Sequence, residues 1–156
     1  MNASKAQSMS QPVSSPDLSQ IYSPAVLTAA ADIPHLGRLT APMASAQLRA
    51  PVCGSQIAVT VDVTDGRVTA FAQEVKACAL GQAAASLFGD IVIGLTPTEV
   101  AALRGQMAAM LRDGAAAPTP AFEILRAAAS LPERHGAMLL VFDATLAALA
   151  QITPKA

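Results

Sequence analysis

Hydrophobic positions follow two regimes along the chain. Between Ala44 and Val75 they alternate, with Ile57, Val59, Val61 and Val63 interleaved with Gln56, Ala58, Thr60 and Asp62. A period of two marks a strand with one buried face, and Asp65-Gly66 supplies a hairpin turn after which Arg67 to Val75 returns. A third strand over Ala46 to Val52 completes an antiparallel sheet, placing Cys53 between the first and second strands.

Past Cys78 the period becomes helical and stays so to the end. Leu80, Ala84, Leu87 and Ile91 share a face of one helix, and Val100, Leu103, Met107 and Met110 share a face of the next. Thr96 and Pro97 open that second helix with Glu99 in its first turn, and Asp113-Gly114 ends it. Beyond the prolines at 118 and 120, Phe122 to Ser130 predicts a short helix. Pro132 precedes a last helix carrying Leu139, Phe142, Leu146 and Leu149. Upstream of the sheet, Ser23 and Pro24 start a helix that runs to about Ala31, with Val26, Leu27 and Ala30 on its apolar face. The order is helix, three strands, then helices. It predicts an α+β fold, a three-stranded antiparallel sheet packed against several helices on one face.

Residues Met1 to Ser19 mix Ser, Gln, Pro and Asn with almost no apolar periodicity, so a disordered tail is expected over 1–19 and a single domain over 20–152. A chain of 156 residues suits one domain with a real core. Hydrophobic residues make up 53% and aromatics 3%, so the core is expected to rest on Ala, Val, Leu, Ile and Met. The formal charge of -1 and pI near 6.0 leave no basic patch, which argues against nucleic acid as a partner. Mean hydropathy is +0.43, and the apolar run from Ala77 to Thr98 raises the question of a membrane span. Gln82, Asp90 and three glycines interrupt it, so it reads as a buried helix and no membrane is expected. Two cysteines cannot build a secreted disulfide framework, and no charged segment leads into an apolar one at the start, so a cytoplasmic, reducing compartment is expected.

The two cysteines carry the candidate chemistry. Cys53, in Pro51-Val52-Cys53-Gly54-Ser55, falls on a tight turn before a strand, and Cys78 falls where a strand gives way to a helix. A helix N-terminus favours a thiolate through its unpaired N–H groups, and Lys76 adds to that bias. His135 lies four residues before Leu139 on the apolar stripe of the last helix, near its start, as a candidate third ligand. Each has a plainer alternative: a buried structural cysteine, a glycine that relieves a turn, a hydrogen-bonded core histidine. A separation of 25 residues excludes a CxxC pair, and no phosphate-binding loop, HExxH or GxSxG occurs, so no enzyme is expected.

These residues resemble a known family, the U-type iron-sulfur cluster assembly scaffolds of the NifU and IscU-like kind. The resemblance runs from Ile21-Tyr22-Ser23-Pro24 through Pro51-Val52-Cys53-Gly54 and Cys78-Ala79-Leu80-Gly81-Gln82 to Arg134-His135. It implies the U-type scaffold fold and a site where three cysteines and an aspartate hold a transient cluster. This chain departs from that pattern. Ser55 replaces the aspartate of Cys-Gly-Asp, Gly136 stands where the third cysteine begins the last helix, and Leu131-Pro132-Glu133-Arg134 replaces the chaperone-recognition segment.

By resemblance, Cys53, Cys78 and His135 are the expected cofactor and metal ligands, for a transient iron-sulfur cluster of the [2Fe-2S] type or, alternatively, for zinc. A [2Fe-2S] centre takes four ligands, so a small thiol, water or a second copy in a homo-oligomer must complete it. The implied partners are a cysteine desulfurase and cluster-acceptor proteins. A degenerate scaffold that binds these partners without metal is the alternative function.

Overall fold

The computed structural model describes residues 17–152. Helices α1 (Leu18–Ile21) and α2 (Pro24–Ala31) precede strands β1 (Ala44–Arg49), β2 (Gln56–Thr64) and β3 (Arg67–Lys76). Helices α3 (Ala79–Gly89) and α4 (Pro97–Asp113) follow. Two 3-10 segments, Pro120–Ser130 and Pro132–Arg134, then lead into α5 (His135–Leu149).

The sheet has the order β1-β2-β3, antiparallel throughout. Ile57, Val59 and Val61 point inward and are buried, and their register partners bring Ala44, Ala46 and Leu48 from β1 and Phe71, Gln73 and Val75 from β3 onto the same face. Asp65 and Gly66 both take positive φ, the conformation of a two-residue hairpin turn whose twist matches the strands it joins. The α+β arrangement expected from the sequence is therefore present. Strand β1 ends at Arg49 rather than continuing to residue 52, because Ala50 to Ser55 close the hairpin loop through Ala50 N–H to Ser55 O and Gly54 N–H to Ala50 O, each 2.8 Å.

Neither outer strand of the sheet is left bare. Beside β3, Gln73 N–H donates to His35 O and Gly37 N–H donates to Gln73 O, both 2.9 Å, so the loop at 35–37 adds a parallel bridge. On the β1 side the Gln151 amide donates to Ser45 O at 2.6 Å.

Helix α5 lies between the sheet and helices α3 and α4, packing on β1, β2, α3 and α4. That position buries Met138, Val141, Thr145 and Ala148 as well as Phe142 and Leu149, so the helix is apolar on more than the single stripe expected. The four phenylalanines of the chain, few as they are, form one continuous stack at the centre. Phe71 meets Phe88 at 6.0 Å between centroids, Phe88 meets Phe142 at 4.9 Å, and Phe142 meets Phe122 at 6.0 Å. The small side chains expected to dominate the core surround this aromatic column.

Several sequence expectations shift. The apolar run after Cys78 is helical only to Gly89, and Asp90 to Leu95 turn the chain, so Ile91 lies past the helix it was expected to complete. Among the described residues no helix is long and apolar enough to cross a membrane. The segment from Phe122 winds as a 3-10 helix because its buried residues Phe122, Leu125 and Ala128 recur every third position, the repeat of that helix. In α2, Val26 is buried but Leu27 is turned outward. The tail expected over 1–19 lies outside the described residues up to residue 16; Asp17 caps α1 through Ser19 N–H, and Leu18 and Ser19 are helical.

Candidate functional site

Three element ends converge at one end of the sheet: the β1–β2 loop, the start of α3 and the start of α5. Two glycines make that convergence close. A Cβ on Gly81 in the first turn of α3 would stand 3.2 Å from Ala137 O and 3.4 Å from Ala137 Cβ, so the two helix starts abut. A Cβ on Gly136 would stand 3.7 Å from Ala50 Cβ, so α5 also meets the β1–β2 loop.

Cys53 sits in that loop just before Gly54, whose φ of +76° favours glycine. The Cys53 sulfur is half-buried and lies 3.3 Å from the hydroxyl of Ser55, which is buried. Burial pushes the Cys53 thiol up, but the Ser55 hydroxyl, the backbone N–H groups of Ser55 and Cys53, and the charge of Arg134 together hold it below its ordinary value. The hydroxyl that stands where the resemblance leads one to expect a carboxylate thus serves the sulfur directly.

Cys78 is the N-cap residue of α3, at the helix start the sequence indicated, and its side chain caps no backbone N–H. Its carbonyl accepts from Gln82 N–H at 2.9 Å, and its half-buried thiol remains available to other groups.

Arg134 is the cation whose charge acts on this end of the fold. It ends the short 3-10 turn before α5. Arg134 is held above its ordinary pKa range, chiefly by Cys78, with Tyr22 and Cys53 adding to the effect. One cation therefore acts on both cysteines. A second lies nearby, since Arg49 Nη1 is 3.8 Å from where a Cβ on Gly54 would be. Lys76, which the sequence suggested as the local positive charge, instead ends β3 on the outer face, in a shallow polar hollow with Gln47, Gln56, Ala58 and Glu74. Arg134 received no role from sequence alone. The available signal was an arginine immediately before the last helix, a position that commits it to the end of the fold where both cysteines lie.

His135, the first residue of α5, is half-buried, and its Nε2 lies 3.1 Å from Ala129 O, a backbone hydrogen bond to the preceding 3-10 segment. Among the described residues no three His, Cys, Asp or Glu side chains gather as a metal-holding group. The soft donors at this end are the two sulfurs.

No family model matches the chain, and no curated protein does so by sequence. Among solved structures the chain is similar to the N-terminal part of a nitrogen-fixing NifU-like protein from Brucella abortus, at 36% identity and a TM-score of 0.82, covering 86% of this chain and 95% of that one. It is also similar in fold to a putative iron-sulfur cluster assembly scaffold protein for the SUF system from Fervidobacterium islandicum, at 18% identity and a TM-score of 0.76, covering 85% and 99%.

Proposed function

Because the chain belongs to the NifU-like, U-type family of iron-sulfur cluster scaffolds, we propose that it is a non-enzymatic carrier that takes a transient [2Fe-2S] cluster on Cys53 and Cys78. The cluster is cargo. What supports this reading is that two thiols from distant parts of the chain, one in the β1–β2 loop and one capping α3, lie at the two element ends that the start of α5 touches through Gly136 and Gly81. A free structural cysteine has no need of that company.

In this reading each sulfur becomes a ligand as its proton leaves. Ser55 donates its O–H to the Cys53 thiolate, and Cys78 exposes its sulfur at a helix start, where backbone N–H groups favour negative charge. Two protein thiolates leave two of the four positions on the cluster to others. A small thiol, a second copy of the chain or the recipient protein fills them, and the cargo stays easy to release. His135 joins only by giving up its bond to Ala129. A cysteine desulfurase is the proposed sulfur source and cluster-acceptor proteins the proposed recipients, in the cytoplasm.

Anaerobic reconstitution with iron, sulfide and thiol, followed by visible absorbance and metal analysis, tests the proposal. Cluster absorbance lost in Cys78→Ser is the expected result. Among the described residues no three His, Cys, Asp or Glu side chains form a metal-holding group, and this favours a second reading, a scaffold fold that docks on assembly partners without metal. Wild-type protein that takes up neither iron nor zinc selects it, and zinc without cluster selects a zinc-binding form.

A further inference from the structure

We infer that Met43 is a site of reversible oxidative modification, converted to the sulfoxide by peroxide ahead of the buried methionines, and that the backbone beside it holds the added oxygen. The inference stands apart from the carrier reading and involves neither cysteine. It starts from exposure. Of the four methionines among the described residues, Met107, Met110 and Met138 are fully buried, whereas Met43, just before β1, is 55% exposed.

The sulfur of Met43 has a definite place in the fold. The β1–β2 ladder begins at the pair Ala44 and Val61, and β2 carries an irregularity at Asp62 and Val63, where its register against β3 shifts. Carried on by two residues, the β1 register would set Pro42 against Val63, but β1 starts at Ala44 and does not reach it. The Val63 N–H donates instead to Met43 Sδ, at 3.2 Å. The backbone of Met43 is fixed as well, since its N–H is shared between Val61 O at 3.1 Å and Asp62 Oδ1 at 2.9 Å. A thioether sulfur is only a weak acceptor, so the Val63 N–H gains from a better one.

Oxidation supplies that acceptor. A sulfur lone pair attacks one oxygen of hydrogen peroxide, the O–O bond breaks, an S–O bond forms and water leaves; sulfur loses two electrons and peroxide gains them. The Val63 N–H approaches the sulfur from the sheet, and the solvent side stays open to peroxide. The sulfoxide oxygen then takes the place of sulfur as acceptor. An exposed side chain with three rotatable bonds can back away to make room for it, as a methionine packed in the core cannot. Modification at Met43 therefore firms the entry to β1, whereas at Met107, Met110 or Met138 it would set a polar group in the core.

The test titrates the full chain and Met43→Leu with hydrogen peroxide, locates sulfoxide by peptide mapping and reads amide hydrogen exchange at Val63. Wild type is expected to carry sulfoxide at Met43 before any appears at Met107, Met110 or Met138. Exchange at Val63 is expected to slow by about threefold or more, and to recover when methionine sulfoxide reductase and a dithiol remove the oxygen as water. Peroxide also reaches the thiols, and Met43→Leu treated alike isolates their effect, with no slowing at Val63 expected. Sulfoxide at the buried methionines as early as at Met43 overturns the inference. So does exchange at Val63 that is unchanged or faster once Met43 is oxidised, or that slows equally in Met43→Leu.

Discussion

Cys53 and Cys78 reach the same end of the fold by different routes, one from a hairpin loop and the other from a helix cap. Position 136 is the open place beside them. Gly136 is exposed and its φ is not positive, so a side chain there costs no backbone strain, and its Cβ would face Ala50 at an ordinary contact distance of 3.7 Å. Gly136→Cys is therefore expected to fold at least as well as wild type, with a gain of about 0.3 kcal/mol from replacing a helical glycine by cysteine. It is also expected to slow the bleaching of a reconstituted cluster under chelator, an effect that vanishes when Cys78 is also replaced; unchanged bleaching in a folded variant shows that residue 136 does not face the pair. Cysteines are rare and chemically distinct, so Cys53 and Cys78 stand out in a bare sequence. Arg134 does not, because its role comes from the approach of α5 to α3, and His135 was read by stripe when its ring turns to a backbone carbonyl.

The site depends on how closely two elements approach. Helices α3 and α5 meet at their starts through Gly81, where an added Cβ would come 2.8 Å from Ala77 Cβ and 3.2 Å from the Ala137 carbonyl. Backbone cannot yield there as a flexible side chain would. Gly81→Ala is expected to destabilise the protein by about 1–3 kcal/mol despite the better helix propensity of alanine, and to move the start of α5 away from the start of α3, where Cys78 lies. Denaturant unfolding measures the first effect, and thiol alkylation rates at Cys78 measure the second; a variant as stable as wild type refutes the close packing. The strands, the Asp65-Gly66 turn and the Thr96 cap of α4 were legible because alternation, turn residues and capping residues act locally. The end of α3 at Gly89 and the 3-10 winding of Pro120–Ser130 were not, since both depend on what the segment packs against.

At the scale of the molecule, α5 is the shared wall of sheet and helices, and Phe142 is its midpoint, touching Phe88 and Phe122. Phe142→Ala is expected to cost about 3–5 kcal/mol, a large part of the stability of a domain this size. Chemical denaturation checks it, with loss of the cooperative transition as the severe outcome and a change under 1 kcal/mol as the contrary one. One aromatic column in a chain so poor in aromatics explains how small side chains still make a tight interior. The sequence pattern led to the layers correctly and missed this column, because the four phenylalanines lie far apart in the chain and meet only once it is folded.

The closed borders of the sheet bear on how copies of this protein can meet. With the 35–37 loop bridged to β3 at Gln73, edge-to-edge strand addition, the common road to fibrils and to continuous-sheet dimers, is obstructed on that side, while on β1 Gln151 occupies the Ser45 carbonyl. A pair joined through shared cargo would therefore touch tip to tip at the cysteine end, giving an elongated particle that separates when the cargo is withdrawn.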